Sequence, residues 1–233
     1  MIIPIIVISI GALLLGWFLF EKIKAYSLKA VMIKASVSLL FIILAVYGLA
    51  KSNLEVFPKF AVIALCLGML GDISLDLKYV FKEKDKEFTI AGFIVFALGH
   101  VFYITGLFME FYKGQSVLYI IIPLIAGAIM GLVCLLVEKP FKLVYGSYKP
   151  IIYIYGTLLF SMTFTAISLW IMSNFALNGM FMLMVAGILF ALSDLILNMT
   201  YFGEGHEKPF DIISNTLTYY TAQYLIAFSV LFI

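Results

Sequence analysis

Gly71-Asp72-Ile73-Ser74-Leu75-Asp76-Leu77 and, further on, Ser193-Asp194-Leu195-Ile196-Leu197-Asn198-Met199 set acidic side chains inside apolar stretches long enough to cross a bilayer. A carboxylate at bilayer depth costs roughly 2.5–3.5 kcal/mol on insertion scales. Two of them in nearly matching contexts suggest a reaction or a transported proton that needs them. The inert alternative is a pair of protonated interhelical hydrogen bonds, a task that a neutral Asn or Ser performs at lower cost.

Outward from these two stretches the chain stays apolar. Of its 233 residues, 64% are hydrophobic and 12% charged, against about 25% charged in a soluble domain. A membrane-embedded chain follows. The net charge of +2 rests on 15 Lys with no Arg. No basic patch or nucleic-acid motif accompanies it, so nucleic acid is not an expected partner. Cys66 and Cys134 are far apart in apolar runs, with neither a metal spacing nor a disulfide pattern. Residues 1–20 lack a basic n-region and a small-residue cleavage site, and Lys22 and Lys24 follow the apolar run, so this segment reads as a first span rather than a signal peptide.

A helix crossing the hydrocarbon needs about 20 apolar residues. By that ruler the expected spans are about 2–20, 30–50, 58–77, 88–109, 116–137, 150–172, 179–200 and 213–233, separated by charge, Pro or Gly. The expected fold is all-α: a polytopic integral membrane protein of eight transmembrane helices, in one domain over 1–233. Lysines crowd the loops after spans 1, 3, 5 and 7, while the other side has Lys51, Lys59 and Lys113. Positive-inside logic then puts both termini outside, and the expected location is a bacterial cytoplasmic membrane.

Asp72 and Asp194 fall on spans 3 and 7, His100 and Gln223 on spans 4 and 8, at nearly the same separation in the chain. This spacing suggests two parallel four-helix halves, 1–114 and 115–233. Residues four apart share a helix face, so Asp72 with Asp76, and Asp194 with Asn198, point together. Span 6 carries a polar stripe at Tyr153, Thr157, Ser161 and Thr165, expected to line a shared cavity with them. Span 5 is apolar and expected to face lipid or packing partners. Lys34 reads as a lysine snorkelling to the interface. Asp76 reads equally as a solvated group, and His100 as a histidine bonded to a neighbouring hydroxyl.

Burial disfavours the anion of a carboxyl group. Two carboxyls in one polar pocket can therefore divide into an acid and a base, a pair suited to reactions through an oxocarbenium ion. No metal or organic cofactor is called for, since no HxxxH, ExxH or His cluster occurs. A proton-coupled transporter or lipid flippase is the alternative reading of the same intramembrane acids.

Gly71-Asp72-x-x-Leu75, Gly92-x-x-x-Phe96-x-x-x-His100-x-x-Tyr103, Tyr155 with Met162, Gly187 with Phe190-x-x-Ser193-Asp194, and Tyr220-x-x-Gln223-x-Leu225-Ile226 resemble the YhhN family of membrane proteins. The resemblance runs from about residue 58 to the C-terminus, and the first two helices carry little of it. It implies an eight-helix membrane fold and hydrolysis of the alkenyl ether bond of lysoplasmalogens. The products would be a fatty aldehyde and glycerophosphoethanolamine or glycerophosphocholine, and the implied partners are a lysophospholipid substrate and the bilayer. The family's acidic positions map onto Asp72 and Asp194 as catalytic residues. The expected substrate-binding set is His100, Tyr103, Asp76, Tyr155, Ser193, Asn198, Tyr219 and Gln223.

Overall fold

The computed structural model describes residues 2–53, 56–204 and 208–233. Among these it forms eight α-helices and no strand: α1 Ile2–Lys24, α2 Leu28–Lys51, α3 Phe57–Val80, α4 Asp85–Phe111, α5 Leu118–Leu136, α6 Lys149–Met172, α7 Gly179–Phe202 and α8 Pro209–Ser229. Residues 54–55 and 205–207 of the expected second and seventh linkers lie outside the described residues.

Local chemistry sets the helix starts. Ser27 accepts a hydrogen bond from Ala30 N (3.2 Å) and Asn178 one from Met180 N (2.9 Å), each satisfying an amide that the first turn leaves open. Pro58, Pro150 and Pro209 occupy first-turn positions, where a missing N–H costs nothing. At α3 the carboxylate of Glu110 accepts from the amides of Val56 and Phe57, which ties the start of α3 to the end of α4.

Helices α1 to α7 are long and apolar enough to cross a membrane. The expected eighth span exists as a helix of 21 residues, but Asn215, Thr216, Tyr219 and Gln223 keep it less apolar than the rest. Three of these, Thr216, Tyr219 and Gln223, are buried, so α8 turns its polarity inward.

The helices pack in sequential pairs, α1 with α2, α3 with α4, α5 with α6 and α7 with α8. Helix α2 bridges α3 and α8, while α6 bridges α7 and α4. Apolar side chains on the outer faces of α1 (Ile2, Ile5, Leu13) and α5 (Ile122, Ile125, Ile129) are exposed, as a lipid-facing surface requires.

Close packing of α5 on α6 corrects one expectation. Two stripe residues of α6, Thr157 and Ser161, face Gly131 and Gly127 of α5, not a shared cavity. Thr165 donates to the carbonyl of Ser161 in its own helix (2.7 Å). Small residues let the two backbones approach closely, and that approach takes up Thr157 and Ser161. A Cβ built on Gly127 would lie 2.0 Å from Ser161 Oγ and 2.6 Å from its backbone nitrogen, whereas one on Gly16 meets nothing within 4 Å. Gly127→Ala should therefore cost about 1–3 kcal/mol of stability, the usual range for overpacking. Gly16→Ala should stay within about 0.5 kcal/mol. Denaturation in detergent measures both, and equal stabilities would contradict this packing.

Candidate active site

Asp72 on α3 and Asp194 on α7 each stand eight residues before their helix's C-terminal end, roughly 12 Å along the axis at ~1.5 Å per residue. Both line one cavity of about 40 Å³, together with Tyr155, Ser193 and Tyr219. That volume holds water, since one molecule needs at least about 10–15 Å³.

The two carboxyls have unlike surroundings. Asp72 is buried and receives three donors. Ser38 Oγ (2.9 Å) and Tyr219 Oη (3.0 Å) both donate to its Oδ2, and Lys34 Nζ lies 3.3 Å from its Oδ1. An acceptor-only group suits such an arrangement. Asp194 receives one hydrogen bond, from the hydroxyl of Tyr155. No ammonium forms an ion pair with it among the described residues.

Lys34 is a second correction. Its side chain does not reach toward the interface but is buried between Asp72 and Asp76, 3.4 Å from Asp76 Oδ1. Lys22, which the sequence reading left unassigned, contacts the same oxygen at 3.0 Å. A lysine this deep stays charged only with carboxylates to pair it, so snorkelling gives way to a four-membered ionic cluster. Asp76 is likewise buried and paired rather than solvated.

The polar pairs of the first half have counterparts in the second. Lys34–Asp72 corresponds to Tyr155–Asp194, and Lys22–Asp76 to Tyr145–Asn198, where Asn198 Nδ2 donates to Tyr145 Oη (2.8 Å). Every member lies 121 to 123 residues from its counterpart. The first-half pairs are ionic and the second-half pairs are not.

A second cavity, also about 40 Å³, shares Tyr155 and Asp194 with the first. It continues between α5, α6 and α7 along Cys134, Ile152, Leu159 and Phe160, with Asn198 on its wall. Its lining is almost wholly apolar.

His100, Tyr103 and Gln223 do not line either cavity. The rings of Phe96, Phe190 and Tyr219 pack mutually, with centroids 5.4 to 6.3 Å apart, and close the polar cavity at its deep end. Behind them Tyr103 Oη donates to Gln223 Oε1 (3.3 Å), and His100 is enclosed by Tyr155 and Phe190. Both nitrogens of His100 are buried with no hydrogen-bond partner among the described residues. Ser193 does reach the polar cavity, and its carbonyl and hydroxyl oxygens accept from Asn215 Nδ2.

Sequence reasoning did not find Lys22, Ser38, Tyr145 or Asn215, and it met Tyr220 only as a motif residue. Lys22 and Ser38 look like loop and core residues by composition. The one usable signal was the pairing of Lys34 and Ser38 on a single face of α2, four residues apart.

The model of the YhhN family matches residues 29–230. It begins one residue into α2, so the likeness reaches further toward the N-terminus than the motifs alone indicate. No curated protein and no solved structure matches the chain.

Removing Lys34 leaves Asp72 without an ammonium, while Asp76 keeps Lys22. Lys34→Met is expected to destabilise the fold by about 3–5 kcal/mol, the range for breaking a buried ion pair, and Asp72→Asn in that background should recover part of the loss. Unfolding midpoints in detergent check this; a midpoint unmoved by Lys34→Met would contradict the cluster.

Proposed function

The chain belongs to the YhhN family, and on that premise we propose that it hydrolyses the alkenyl ether bond of lysoplasmalogens within the membrane. The observation that carries this reading is that Asp72 and Asp194 line one water-sized cavity with different partners. The cavity of about 40 Å³ that also touches Asp194 has an apolar lining of the kind a hydrocarbon chain requires, and it must widen to admit one.

Asp194 is the proton donor in this reading. Its partner is a phenol rather than an ammonium, so a neutral carboxylic acid is well accommodated there. It transfers a proton to the β-carbon of the vinyl ether, which leaves an oxocarbenium ion at the carbon bonded to oxygen. Asp72, anchored as an acceptor by Ser38, Tyr219 and Lys34, orients water toward that carbon and takes its proton as the C–O bond forms. The hemiacetal then collapses to a fatty aldehyde and the glycerophospho alcohol. Proton transfers of this kind contribute about 10²–10⁴-fold each. Tyr155 positions Asp194. His100, Tyr103 and Gln223 then support the cavity's floor, and Asn198 flanks the chain.

The same reading includes α8 as an eighth span, with both termini on the face opposite the lysine-rich loops, in a bacterial cytoplasmic membrane. It also includes descent from two parallel four-helix halves. Supporting the halves are the matched polar pairs and the adjacency of the helices: α2 against α3 and α8 mirrors α6 against α7 and α4.

Purified protein given a lysoplasmalogen should release aldehyde while the matching acyl lysolipid survives. Asp72→Asn and Asp194→Asn are each expected to lower kcat at least 100-fold with the fold retained. Full activity in either variant would remove that residue from its role. Absence of turnover, together with substrate-driven proton flux in liposomes, would favour a transporter.

A further inference from the structure

Lys34 anchors Asp72, but the acid–base pair gives no part to Lys22 or to the meeting of both lysines at Asp76. Lys22 Nζ and Lys34 Nζ converge on a single oxygen, Oδ1 of Asp76, at 3.0 and 3.4 Å. An ammonium has three N–H donors. Lys22 spends one on Asp76, and Lys34 spends two, on Asp72 and Asp76. Among the described residues the pair thus keeps three donors uncommitted. Both lysines line the polar cavity. Lys22 also lines a smaller cavity that continues outward past Tyr26 and Tyr79, so it stands at the throat between the two.

Depth fits a head group. Asp76, where the ammoniums meet, lies four residues from the end of α3, and Lys22 two residues from the end of α1. Asp194 lies eight residues from the end of α7, about 6 Å deeper than Asp76 at ~1.5 Å per residue. An anion held by the lysines would therefore sit nearer the interface than the reacting bond. In the second half the corresponding positions are Tyr145, Tyr155 and Asn198, which carry no charge; Tyr155 and Asn198 line the apolar cavity, and Tyr145 is bonded to Asn198. The two halves thus offer an ionic end and an apolar end, the two ends of an amphiphile.

We propose that Lys22 and Lys34 together hold the phosphodiester of a lysophospholipid; the polar cavity and the cavity between α5, α6 and α7, about 40 Å³ each, mark the paths that widen to admit its head and its chain. The bound phosphoryl oxygens accept the lysines' spare N–H groups beside Asp76, and this fixes the alkenyl ether next to Asp194. The assignment rests on the lysoplasmalogen reading for its substrate but not for its chemistry, because binding needs no turnover.

The test is binding of a 1-alkyl lysophosphatidylethanolamine, whose saturated ether cannot be hydrolysed by this route, compared with the phosphate-free 1-alkylglycerol. Affinity is read by titration in detergent. Wild type should bind the lysophospholipid at least tenfold more tightly than the alkylglycerol. Lys22→Gln should lower that preference to within about threefold, and Lys22→Arg should restore most of it. Equal affinity of wild type for the two lipids, binding of neither, or a preference untouched by Lys22→Gln would overturn the assignment. Inorganic phosphate is expected not to compete at concentrations equal to the lysolipid; competition as strong as the lipid's own would assign the lysines to a free anion instead. A Lys22-dependent preference without cleavage of any alkenyl lipid would sustain the clamp and defeat the proposed reaction. Cleavage with an unaltered preference would do the reverse.

Discussion

The contact between Lys34 and Asp72 governs how α2, α3 and α8 meet. In hydrocarbon an unpaired charge is costly enough that the chain arranges itself around pairing it. Lys34 from α2 and Asp72 from α3 draw these helices together. Ser38 and Tyr219 complete the shell of Asp72, which brings in α8. Tyr220 adds to the same junction, 3.0 Å from Ser38 Oγ and within reach of the Lys34 carbonyl. A polar α8 is therefore a consequence of the ionic cluster it covers. Its tyrosines, Thr216 and Gln223 depress its hydropathy because they face protein instead of lipid.

Around Asp194 the same geometric problem is solved without charge. Tyr155 replaces the lysine partner and Asn198 replaces Asp76. Two carboxyls at equivalent depth then differ in what surrounds them, and difference in surroundings is what separates an acid from a base in a symmetric frame. The same difference leaves the cavity beside Asp72 ionic and the cavity between α5, α6 and α7 apolar. In the proposed reading the reaction and the orientation of the substrate both come from this one asymmetry.

Much of the helical frame was legible in the sequence, because apolar runs of about 20 residues closed by Lys, Pro or Gly admit few other structures. The span expected at 179–200 is the helix Gly179–Phe202, and that at 150–172 is Lys149–Met172. The convergence of Asp72 and Asp194 followed from their matched contexts. The polar stripe of α6 misled for a specific reason. Hydroxyls on a helix can be absorbed by the helix's own carbonyls and by a glycine-lined neighbour, and periodicity does not distinguish that from lining a cavity. Lys34 misled because a lysine near a helix end usually snorkels, and only the placement of α3 beside α2 supplies the carboxylates that hold it inside. The aromatic floor of Phe96, Phe190 and Tyr219 needed three helices in position before His100 could be seen to lie behind it.

Carbon protonation by a carboxylic acid in this cavity is the central claim, and product labelling in heavy water tests it most directly. Turnover of a lysoplasmalogen in D2O should place one deuterium on the carbon adjacent to the aldehyde, because Asp194 exchanges with solvent before it delivers its hydrogen there. Aldehyde released with no deuterium at that carbon would contradict the account.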